Sequence, residues 1–149
     1  MFIAIRKRKT IMIIVFCLFF LTGCSDNRYA NLVLPNNQII KVKLARSKTE
    51  FTRGLSGIKK MEGYDGMFFM KTKPEKVSFW MKNMKFPLDI IYLDKNLVIV
   101  DVFLNNRPCV LDTCNSLQSN LDNVQYILEV PAGLANIYDL SIGKDIQKK

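Results

Sequence analysis

Residues 88–93 and 97–104 are two apolar runs separated only by Asp94-Lys95-Asn96. Runs of that length rich in Ile, Val, Leu, Tyr and Phe favour extended backbone, and a short polar stretch between them turns the chain back on itself. The pattern predicts an antiparallel hairpin. A lone hairpin is marginal in water, so the rest of the chain has to complete a sheet. Residues 31–34 and 38–44 read as strands around a turn at Pro35-Asn36-Asn37. Ile40, Val42 and Leu44 alternate there with Lys41 and Lys43, the signature of one buried face. Residues 66–70, 77–82, 124–130 and 142–146 read as further short strands. Ser47-Lys48-Thr49-Glu50 has capping-box spacing, so a short helix is expected from Phe51 to about Leu55. A helical turn can follow Pro131-Ala132-Gly133, and residues 105–123 form a long polar connection. The expected fold is mainly β: a single compact sandwich or barrel-like domain of about eight short strands with one or two short helices.

The first 23 residues belong to something else. Arg6, Lys7, Arg8 and Lys9 precede an apolar run of ten, Ile11 to Phe20. Ten residues are too few to span a bilayer as a helix, and the layout is that of a secretory signal. Leu21-Thr22-Gly23-Cys24 resembles the lipobox of bacterial lipoprotein signal peptides. That resemblance implies cleavage before Cys24 and lipidation of Cys24, with residues 24–30 as a tether and residues 31–149 as the domain. The alternative is an uncleaved amino-terminal anchor. Charge changes with this division: the full chain carries +9, whereas the 126 residues from Cys24 onward carry +5. The expected partners are therefore a membrane, through the Cys24 lipid, and an envelope ligand or protein. Export and the lack of a recognisable motif argue against nucleic acid.

Of the four cysteines, Cys17 lies in the signal and Cys24 carries the lipid, which leaves Cys109 and Cys114. An even pair in an oxidising compartment reads as a disulfide that staples one loop, contributing about 2 kcal/mol by chain entropy. The spacing is not that of a C-x-x-C redox pair. The chain contains no histidine, which removes the commonest general base and leaves a poor zinc ligand set. No cofactor or metal is expected.

In an extended 77–82 segment, Val77, Phe79 and Met81 share one face and Ser78, Trp80 and Lys82 the other. With the apolar set inward, Trp80 lies beside Lys82. An indole next to a cation and the Asn83 amide can stack on a ligand ring and bond its edge. The competing reading buries Trp80 beneath a loop or the helix, since tryptophans are highly buried on average. Asp89 shares a face with Ile91 and Leu93 and needs a donor there, for which Arg53 and Lys82 are the candidates. Asp89 and Glu129 could instead form a hydrolytic carboxylate pair. Met67 and Met70, Met81 and Met84, with Met61 nearby, could in principle hold Cu(I), although residues three apart on a strand face opposite ways and methionine commonly fills cores.

Residues 79–94, Phe79 to Asp94, together with Arg53-Gly54-Leu55, Gly66-Met67-Phe68-Phe69 and the stretch Tyr126 to Gly133, resemble in order the motifs of the Domain of Unknown Function 192 family. The resemblance covers residues 31–147. It implies a compact β-rich domain and carries no established activity. The chain departs from the family at Ser56 and Ile58, where methionine and a second arginine are common. The sequence thus reads as a lipid-anchored extracytoplasmic module that binds rather than catalyses. Its candidate ligand-binding residues are Arg53, Trp80, Lys82, Asn83 and Asp89.

Overall fold

A computed structural model describes residues 27–109 and 114–149. Cys24 and the signal-like segment lie outside the described residues, so the expected lipidation position has no structural account. Among the described residues nine strands and two short helices follow in the order β1 (Tyr29–Val33), β2 (Ile39–Ala45), α1 (Lys48–Arg53), β3 (Gly66–Met70), β4 (Ser78–Phe79), β5 (Leu88–Leu93), β6 (Ile99–Asn106), β7 (Leu117–Gln118), β8 (Tyr126–Pro131), α2 (Leu134–Ile137) and β9 (Gln147–Lys148). The fold is mainly β, as the alternation predicts.

Seven strands form one sheet in the order β6-β5-β8-β3-β2-β1-β9. The expected hairpin forms: β5 runs antiparallel to β6, with the Asp94 carboxylate accepting from the backbone N–H of Asn96 and Val98 to hold the turn. Among the described strands of this sheet only β2 and β3 pair in parallel, and α1 lies in the crossover that parallel pairing demands. The sheet curls toward a half-barrel. Residues 97–99 at the start of β6 exchange backbone hydrogen bonds with 143–146, the segment that leads into β9, so the two ends of the sheet approach each other.

Both faces of the sheet are covered, which is why β5 is buried at every position rather than alternating. On one face Ile40, Val42, Leu44, Phe68, Ile91, Leu93, Leu128 and Val130 pack with Ala135 and Leu140 of the α2 region. On the other, Met67, Phe69, Ile90, Tyr92 and Ile127 pack with Leu55, Val77, Met81 and Met84. The methionines divide accordingly: Met67 faces the second core while Met70, three residues on, packs against the first.

Several boundaries differ from the sequence reading, among them the helix, expected from Phe51 to about Leu55, which runs Lys48–Arg53 directly from its Ser47 cap. Residues 29 and 30 are strand rather than tether, because Tyr29 is held by the Tyr64 ring and the Lys41 ammonium, 4.6 Å from its centroid. The 77–82 strand shrinks to Ser78–Phe79 and pairs with β7 outside the main sheet. Asn83, at φ 60°, turns the chain away, and asparagine tolerates that left-handed backbone. The polar 105–123 connection contains β7, anchored to the main sheet by the Tyr92 hydroxyl, which donates to the Leu117 carbonyl at 2.8 Å. The last strand lies at 147–148 rather than 142–146, where Gly143 and the turn around it face β6 instead.

Candidate functional site

The capping box forms as its spacing predicts. The Ser47 hydroxyl accepts from the Glu50 N–H at 3.2 Å, and the Glu50 carboxylate accepts from the N–H groups of Arg46 and Ser47 at 2.9 and 2.8 Å. Those bonds hold the Glu50 carboxyl down to about 2. The cap sets the direction of α1, whose last turn carries Phe51 and Arg53 over the second face of the sheet. Phe51 meets Phe69 of β3 edge-on at 5.3 Å, and Phe69 meets Phe79 at 5.0 Å. Phe79 is thereby fixed from below, and the alternation along 77–82 follows. Val77 and Met81 are buried and Phe79 half-buried, whereas Ser78, Trp80 and Lys82 are exposed. Trp80 is 60% exposed, which overturns its burial under a loop or helix.

Between α1 and this segment lies a cavity of about 360 Å³. Arg53, Lys71, Lys76, Lys82 and Trp80 are among its lining residues, and Glu129 is its only acid among the described residues. Arg53, Trp80 and Lys82, predicted from sequence, do converge. Lys71 and Lys76 join them from the loop after β3. Lys71 also pairs with Glu75 and lies 5.5 Å from the Phe51 ring centroid.

Two predicted residues are placed elsewhere. Asn83 does not line the cavity; its carbonyl accepts from the Gly57 N–H at 3.0 Å and so ties the 54–57 turn to the end of the Trp80 segment. Asp89 is buried on the opposite face, and neither Arg53 nor Lys82 is its partner. Its carboxylate accepts from three backbone N–H groups: Asn105 at 2.8 Å, Gly133 at 2.8 Å and Ala135 at 3.0 Å. Asp89 therefore clamps β6 and α2 to β5 and is a structural residue. Backbone donors satisfied it, and their approach depends on tertiary packing that spacing cannot reveal.

Glu129 matters more than the sequence suggested. Directly opposed residues in a ladder share a face. Glu129 is opposite Ile90 and Met67, whereas Asp89 is opposite Val130. The two carboxylates thus project from opposite faces of the sheet, and the hydrolytic pair does not exist. Glu129 is 5% exposed, and its Oε2 has no hydrogen-bond partner. Burial pushes its carboxyl up to about 8, so it is largely protonated near neutrality and able to donate. The signal was present in the sequence: an acid inside the apolar strand run Tyr126–Pro131 has to face something other than bulk water.

Cys109 and Cys114 are joined, with Cα atoms 5.7 Å apart. The Cys109 N–H donates to the Met81 carbonyl at 3.1 Å, and Lys82 and Cys109 form an isolated bridge. The disulfide therefore braces the segment that presents Trp80 and Lys82. A second cavity, lined by Met61, Tyr64, Phe86 and Pro131 among others, contains none of Arg53, Trp80 or Lys82.

Residues 32–148 match the family model DUF192, described as an uncharacterized ACR. A crystal structure of a protein of unknown function from Novosphingobium aromaticivorans superposes with a TM-score of 0.72 at 23% identity, covering 80% of this chain and 84% of the other. A proposed transcription regulator from Sinorhizobium meliloti gives a TM-score of 0.69 at 24% identity, covering 80% of this chain and 92% of the other. At those identities the likeness establishes the fold. No curated protein matches.

Proposed function

The chain belongs to the Domain of Unknown Function 192 family, and we propose that this member is a lipid-anchored extracytoplasmic binding module whose cavity takes a small anionic ligand. One observation carries the reading: a buried, unpartnered carboxyl oxygen of Glu129 in a cavity whose other charged lining residues, among the described residues, are Arg53, Lys71, Lys76 and Lys82. Burying an acid without a partner is costly, and such a site supports function better than stability. The cations supply charge-assisted hydrogen bonds to an anion. The protonated Glu129 donates to an acceptor on the same ligand. Trp80 offers a flat apolar surface at the mouth. A cavity of about 360 Å³ lies at the small end of ligand pockets, which favours a single charged group with a compact body. The Cys24 lipidation motif supports the anchored, extracytoplasmic placement, and the Cys109–Cys114 disulfide is consistent with it.

The test is a thermal-shift and calorimetric comparison of charged compounds with neutral counterparts: glycerol phosphate against glycerol, glucuronate against glucose. Binding is expected for the anions alone, weakened by Arg53→Gln and by Trp80→Ala. Equal responses to charged and neutral members, or responses untouched by both variants, would refute the assignment.

A further inference from the structure

One wall of the cavity, Phe51 to Arg53 of α1, follows directly on the strand end where the tether arrives. The Leu44 N–H donates to the Arg28 carbonyl at 2.8 Å, and the Arg46 guanidinium donates to the Asn27 carbonyl at 3.1 Å. Residues 27 and 28 are thus pinned next to Ser47, the cap of the helix that carries Phe51 and Arg53 into the cavity. The parallel register of β2 and β3 brings Phe69 beside Ala45, so Lys71, just beyond, belongs to the same end. Cys24 precedes Asn27 by three residues, and three residues of chain reach no farther than about 11 Å. An acyl chain on Cys24 therefore holds α1, and with it the Phe51 and Arg53 wall of the cavity, close to the bilayer surface.

The chemistry of that end suits a bilayer. Arg46, Lys48, Arg53, Lys71, Lys73 and Lys76 all occur on the segments that meet there. Two acids, Glu50 and Glu75, lie among these six cations, Glu75 paired with Lys71, and the segments keep a net charge of +4. Trp80 stands 60% exposed at the mouth, and tryptophan favours the headgroup level of a membrane. Anionic headgroups attract juxtamembrane cations, each contributing roughly 1 kcal/mol near the surface.

Resting on the binding reading above, we propose that the ligand is the phosphate of an anionic phospholipid headgroup in the membrane that anchors the protein. In this arrangement Arg53 and Lys76 hold the phosphate oxygens, Glu129 donates to one of them from the cavity floor, and Trp80 lies at the interface. The lipid anchor supplies proximity and the cavity supplies headgroup choice, the two signals that stable membrane attachment needs.

Trp80 is the only tryptophan in the chain, so its emission reports on the cavity mouth without labelling. The lipidated protein would be reconstituted into nanodiscs of phosphatidylcholine alone or of phosphatidylcholine with phosphatidylglycerol, each prepared with and without brominated acyl chains. The expected result is a blue shift and bromine quenching in the anionic discs only, reversed by soluble glycerol phosphate. The paired variant Arg53→Gln/Lys76→Gln should require roughly thirtyfold more anionic lipid for the same quenching. Lys59→Gln/Lys60→Gln, an equal charge loss beside Pro87 and Pro131 at the opposite end of the sheet, should behave as wild type. Equal quenching in both disc types, or equal loss in both paired variants, overturns headgroup recognition in the cavity. If glycerol phosphate shifts the emission in solution and anionic discs do not, the ligand is a free phosphate and the membrane source is wrong. No response to either probe overturns this inference and the binding reading together.

Discussion

Replacing Glu129 by glutamine tests the electrostatics of the cavity floor through stability alone. The Glu129 carboxyl titrates at about 8 in the fold, against 4.5 for an ordinary glutamate. The native state therefore holds a proton that the unfolded state releases as pH rises above 4.5. Stability falls wherever the native state binds more protons, so the loss begins above pH 4.5 and is complete above pH 8. Converted at 1.36 kcal/mol per unit, the loss reaches about 5 kcal/mol, a large part of the 5–15 kcal/mol that stabilises a typical domain. Glu129→Gln keeps the shape and a donor but cannot ionise. Its stability should track wild type at pH 4 to 5 and exceed it by several kcal/mol at pH 9. Urea unfolding of both proteins at pH 5, 7 and 9 measures the difference directly. Glu50 and Glu75, both held below the ordinary value, lose their contribution only at acid pH and do not confuse this window. A wild-type minus variant difference that is flat from pH 5 to 9 would mean that Glu129 is ionised and solvated, and the neutral-donor role would fall with it.

Other consequences follow from single contacts. Asp89→Ala strips three buried backbone N–H groups of their acceptor and should cost on the order of 3–5 kcal/mol in chemical unfolding, without changing anion binding by any soluble fragment that remains folded. Gly66→Ala should be destabilising by roughly 1–3 kcal/mol, because its Cβ would stand 2.5 Å from the Glu129 carbonyl oxygen; thermal unfolding should drop by several degrees. Reducing Cys109–Cys114 should cost about 2 kcal/mol and also alter Trp80 emission, since Cys109 is bonded to Met81; unchanged emission on reduction would show that the bridge does not brace the site.

Much of the fold was legible because its causes are local. The 88–93 and 97–104 runs, the Ser47–Glu50 box and the alternation of Val77, Phe79 and Met81 against Trp80 and Lys82 depend on neighbours within a few residues, and all are realised. What sequence could not give is the partner brought by distant pairing. Sequence points to Arg53 or Lys82 as the partner of Asp89, which instead takes amides from residues 105, 133 and 135. Sequence allows Glu129 and Asp89 to form a carboxylate pair, yet the β5–β8 register sends them to opposite faces. Lys71 and Lys76 went unnoticed because only the folding of the 71–80 loop over β3 brings them to Arg53. The family resemblance named the ordered motifs and the β-rich domain, both of which hold. It was silent on the cavity, whose chemistry emerges from side chains on α1, β4, β8 and a loop acting at one place.

The central claim is that a neutral Glu129 among cations binds an anion. Calorimetric titration of the protein with glycerol phosphate at pH 6 and at pH 9 tests it most directly. The account predicts clear binding at pH 6 that weakens strongly at pH 9 in wild type, because Glu129 then carries a charge that repels the ligand, and that weakens much less in Glu129→Gln. Binding that is equal at both pH values, or equally pH-dependent in wild type and Glu129→Gln, would contradict it.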